Sequence, residues 1–155
     1  MLVQREDAQN KIILYTMEDL VPEDSLFRKV DKYIDFDFIY DEVRDMYCAM
    51  NGRPCIDPVV LFKIVFIQAL DGLKSMRKTC EKIKVDAEYR WFLGIPFGES
   101  TPHYSTFSQN YIRRFQGTSV FENIFVKIVE QAIKYNLVKT TKEDLKIVIY
   151  LKKYL

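Results

Sequence analysis

The chain has 155 residues, 48% of them hydrophobic and 14% aromatic, with only five glycines and five prolines. Such a composition excludes a disordered chain, and the scarcity of turn formers favours helices over a turn-rich β fold. The net charge of +1 conceals an asymmetry: residues 1–45 carry 6 Lys/Arg against 12 Asp/Glu, and residues 46–155 carry 17 against 10. The basic second part suits phosphate contact, although an uneven solvated surface has the same composition.

Residues 1–20 read as an N-terminal arm of mixed pattern, extended around 12–15. Asp24 can cap a first helix with Leu26, Phe27, Val30 and Ile34 on one face. A second helix runs from about Phe38 to Tyr47 and buries Phe38, Ile39, Val43 and Met46; the turn chemistry of Asn51-Gly52-Arg53-Pro54 follows it. The third has Asp57 as N-cap, Pro58 at its first position and Gly72 as its stop. It is apolar almost all round and reads as the centre of the core.

Ser75 can cap a helix over 76–83, whose inner face is Met76, Cys80 and Ile83 and whose outer face is Arg77, Lys78, Glu81 and Lys82. Asp86 can cap another over 87–93 that stops at Gly94-Ile95-Pro96. A helix of about Tyr104–Gln116, closed by Gly117, comes next. Ser119-Val120-Phe121-Glu122 reads as a capping box for the last strong helix, which buries Phe121, Ile124, Phe125, Ile128 and Ala132 and ends near Asn136. The expected fold is all-α: one domain of six or seven helices over 21–138, with a divergent tail at 139–155.

The stretch 104–116 carries the chemistry most suited to DNA. Tyr104, Phe107, Tyr111 and Phe115 form an inward aromatic stripe. Turned away are Ser105, Thr106, Ser108, Gln109, Asn110, Arg113 and Arg114, with Thr106, Gln109, Asn110 and Arg113 on one stripe. Gln and Asn pair with adenine and Arg with guanine, and no acid on this face repels phosphate. The N-terminal hydroxyls and N–H groups suit a phosphate as well. Arg77, Lys78, Lys82 and Lys84 form a basic helix suited to crossing the backbone. An amphipathic helix and a charged face that merely meet water are the competing readings. Tyr89, Arg90, Trp91 and Phe92 suit core packing with a cation–π contact better than base stacking. His103 can cap the helix or sit in its loop.

Cys48, Cys55 and Cys80 form no CxxC pair, and the single histidine completes no usual zinc set. Neither a metal nor a cofactor is expected, and the thiols read as reduced. The charged N-terminus does not read as a signal peptide, and no segment reaches the about 18 apolar residues of a membrane span. A soluble, cytoplasmic protein is expected.

Val21-Pro22, Asn51-Gly52-Arg53-Pro54, Asp57-Pro58 before an apolar helix, GLKSMRKTCEKIKVDAEYRWFLGI and TPHYSTFSQNYIRRF occur in one order over roughly residues 20–138. In these features the chain resembles the N-terminal domain of bacterial DDE-type insertion-sequence transposases. The resemblance implies a helical domain that helps recognise the terminal inverted repeats of a mobile element. It maps a helix-turn-helix-like portion onto about 75–116, with 104–116 in the reading position. His103 departs from the resemblance, since an acidic residue is common there.

Full-length relatives continue into an RNase H-like domain whose three carboxylates hold two divalent metal ions. This chain has no Asp or Glu after Asp144, and the adjacent Glu143 and Asp144 read as a helix start or surface turn. The expectation is therefore a truncated, non-catalytic module that binds double-stranded DNA at element ends. The alternatives are a helical interaction protein, forming a homodimer or a heteromer with full-length transposase through the apolar run 147–151, and a decayed remnant without function.

Overall fold

Side-chain caps open most of the α-helices in the computed structural model, which describes residues 11–47 and 56–137. Among these residues there are seven α-helices and no strand: α1 Leu26–Tyr33, α2 Phe38–Val43, α3 Pro58–Leu70, α4 Met76–Ile83, α5 Ala87–Leu93, α6 Tyr104–Asn110 and α7 Val120–Lys134. The described part of the chain is all-α. The turn at 51–54, Cys48, Cys55 and the tail at 139–155 lie outside the described residues.

Three starts follow the expected chemistry. Asp57 accepts from the N–H groups of Val59 and Val60, Ser75 from that of Lys78, and Asp86 from those of Glu88 and Tyr89. Each satisfies donors that the first helical turn would otherwise leave open. At the end of α5, Gly94 adopts φ +69°, and the Ile95 N–H returns 2.9 Å to the Arg90 carbonyl. A side chain is disfavoured in that left-handed conformation, which is why glycine stands there.

Two caps differ from expectation. Ser25, not Asp24, caps α1: its hydroxyl accepts from Phe27 and Arg28 N–H and donates to Glu88, tying α1 to α5. Ser119 forms no side-chain cap bond, because its backbone (ψ 14°) lacks the extended conformation that turns a cap side chain onto the first turn. The second helix is also shorter than expected, since Arg44–Met46 tightens into a 3-10 turn. Residues 12–15 are exposed and form no strand.

The core gathers on two sides of α3. On one, Phe27, Phe36, Phe66, Tyr89 and Phe92 pack ring against ring, with Phe27 and Phe92 centroids 5.0 Å apart. On the other, Phe62 meets Phe121 at 4.5 Å and Phe115 at 5.6 Å. Ile64 and Ile67 are almost fully buried, so truncating either to alanine costs about 2–5 kcal/mol. Around α3 the apolar surface is not wholly covered: Val59, Val60, Val65 and Phe66 are half-buried and Leu70 is exposed. Leu26, expected inward, is exposed on α1, and Phe125 is half-buried on α7.

Candidate nucleic-acid interface

The aromatic stripe of the region 104–116 sets what the opposite face can present. Phe115 is buried between Phe62 and Phe121, and Tyr111 meets Phe121 edge to face at 5.4 Å. After Asn110 the backbone passes from α6 into a π-turn over Tyr111–Phe115, closed by the Gln116 N–H on the Tyr111 carbonyl at 3.0 Å. One continuous α-helix over 104–116, the expectation from spacing, is therefore not what forms.

The wider turn alters which side chains meet water. Ser108, Gln109, Ile112, Arg113 and Gln116 are exposed, whereas Ser105, Thr106, Asn110 and Arg114 are half-buried. Asn110 donates 2.8 Å to the Thr106 carbonyl and accepts from Arg114 through its other end. Arg114 lies over the Tyr47 ring at 4.5 Å. Asn110 and Arg114 thus face the body of the protein, while Gln109 and Arg113 project from it. Ile112 and Gln116 belong to the exposed face and were not expected there. Tyr111 and Phe115 are spaced as an ordinary α-helix would space them, so the π-turn left no signal in the apolar pattern.

His103 takes the cap position of α6. Its Nδ1 accepts from the Ser105 N–H at 3.3 Å and lies 2.7 Å from the Ser105 hydroxyl, so the departure from an acidic residue preserves a cap. Ser105 is consequently engaged at the helix start. From Ser100 to Phe121 the sequence contains no Asp or Glu, which leaves this stretch free of local anionic repulsion.

On α4, Arg77 pairs with Glu81 at 3.1 Å and lies 5.7 Å from the Tyr104 ring, linking α4 to α6. Lys78 and Lys84 are exposed. Lys82 donates 2.8 Å to the Tyr89 hydroxyl and lies 3.8 Å from Asp71, so part of its role is internal. Burial and Asp71 together push the Tyr89 phenol above its usual pKa. Between α4 and α5 lies a three-residue turn, but α5 buries Tyr89, Arg90, Phe92 and Leu93 and has no exposed face to offer a groove.

Around α5 the aromatic cluster serves packing. Arg90 is buried, donates 2.7 Å to the carbonyls of both Pro96 and Glu99, and lies over Phe97. Trp91 donates 2.7 Å to Glu18 and carries the Arg28 guanidinium over its ring. Cys80 is buried and its thiol is pushed up by desolvation. Among the described residues no three His, Cys, Asp or Glu converge in a way that could hold a metal ion, and no helix is long and apolar enough to cross a membrane.

Residues 15–113 match the model of a family described as a transposase domain, DUF772. The chain belongs to that family. The transposase-domain match runs from the segment before α1 to Arg113, the third residue of the π-turn, and so takes in α1 to α6. Membership places the chain in transposition. No curated protein and no solved structure matches it.

Proposed function

We propose that this transposase domain recognises the terminal inverted repeats of an insertion sequence in double-stranded DNA. The exposed face of α6 and its π-turn reads base edges, and α4 lies against phosphates. The observation that carries the reading is the pairing of Gln109 and Arg113 on one exposed, acid-free face. Neither side chain makes a hydrogen bond among the described residues, and together they present the groups that recognise adenine and guanine. Lys78 on the neighbouring helix and Lys84 just past its end supply the sequence-independent attraction. In this reading α4 and α6 act as a helix-turn-helix-like pair in which α5 is the packed connector.

The hydrogen-bonding groups of the face position and read DNA, and we assign the face no part in cutting or joining strands. A mobility-shift titration with terminal-repeat duplexes tests the reading. Tighter binding to repeats than to scrambled DNA is expected, with Gln109→Ala and Arg113→Ala each reducing the preference. Equal binding to both duplexes contradicts the reading. Cleavage of the repeats by the chain alone with magnesium or manganese contradicts the non-catalytic assignment.

A further inference from the structure

The exposed face that carries Gln109 and Arg113 also carries one large apolar side chain, Ile112. Ile112 is 62% exposed, follows Gln109 by one turn and directly precedes Arg113. The inward positions of the same stretch hold Tyr111 and Phe115, so the core has no claim on Ile112. Gln109 and Arg113 can satisfy the polar edges of bases, but neither can read the one apolar group in the major groove, the C5 methyl of thymine. A branched aliphatic side chain between them supplies that complement.

We propose that Ile112 is a specificity-determining residue, packing against a thymine methyl while Gln109 and Arg113 hydrogen-bond neighbouring base edges. This inference rests on the DNA-reading role of the α6 face. It assigns that face a mixed code of adenine, thymine methyl and guanine. Ile112 and Arg113 lie within the π-turn, consistent with π-turns recurring at functional positions.

The test starts from a pool of duplexes with a randomised central segment, from which the full chain enriches its preferred sequence. Each thymine of that sequence is then replaced by deoxyuridine, which removes the methyl and leaves the hydrogen-bonding edge intact. One replacement is expected to weaken wild-type binding about three- to tenfold, the scale of one buried methyl contact. Ile112→Ala, checked for unchanged helicity by circular dichroism, is expected to bind the thymine and deoxyuridine duplexes equally, and Ile112→Val to retain part of the discrimination. Enrichment of a sequence with no deoxyuridine-sensitive position overturns the role of Ile112 alone. Undiminished discrimination by Ile112→Ala does the same. Failure to enrich any sequence overturns both this inference and the DNA-reading role beneath it.

Discussion

Trp91, the single tryptophan, reports on the segment that precedes α1. Its indole N–H and the Arg28 guanidinium both hold Glu18, and these hydrogen bonds keep that carboxyl below its usual pKa. A lowered pKa means that the contact stabilises the fold above the ordinary carboxylate value and is lost as pH falls through the folded value. Acid titration followed by Trp91 fluorescence is therefore expected to show a transition below pH 4.5, absent in Glu18→Gln. A Glu18→Gln profile identical to wild type would contradict the contact. Tyr40 behaves in the opposite sense. Its hydroxyl donates 2.7 Å to Asp57, and that bond raises its pKa to about 12. Its contribution is complete below the unfolded value near 10 and lost as pH rises towards 12. Tyr40→Phe is expected to flatten the fall in stability between about pH 10 and 12, measured by denaturant titration at each pH.

At the scale of the element, local chemistry and distant packing leave different traces. The bounds of α3, α4 and α5 were legible because Asp57, Ser75 and Asp86 bond N–H groups only two or three residues away. At Ser25 and Ser119 the sequence motif alone misled. Contact with Glu88 favours Ser25 over its acidic neighbour, and the backbone at Ser119 lacks the extended conformation of a capping residue. Asp86→Ala is accordingly expected to cost about 1 kcal/mol and Ser119→Ala almost nothing, measured as shifts in the urea midpoint. Equal losses would contradict the cap assignment. The break between α6 and the π-turn was not legible, since Tyr111 and Phe115 are spaced as an uninterrupted α-helix would space them. It divides the expected site: Gln109 and Arg113 remain outside, Asn110 and Arg114 turn towards Tyr47, and Ile112 joins the exposed set.

For the molecule as a whole, the acidic residues 1–45 and the basic remainder give the two parts of the chain opposite electrostatic character. In the proposed DNA-binding role affinity falls with salt, because binding releases cations from the phosphates and high ionic strength opposes that release. Lys78→Ala is expected to weaken binding to repeat and scrambled duplexes alike and to reduce the slope of log affinity against log salt by about 1. A loss confined to the repeat would instead make Lys78 a base reader. The most direct measurement of the central claim is a competition titration at fixed salt, with labelled terminal repeats displaced by repeat or scrambled duplex. Preference for the repeat is expected for the wild-type chain, and Gln109→Ala/Arg113→Ala is expected to lose at least about tenfold of it while staying folded. A folded double variant that keeps the full preference would contradict the account.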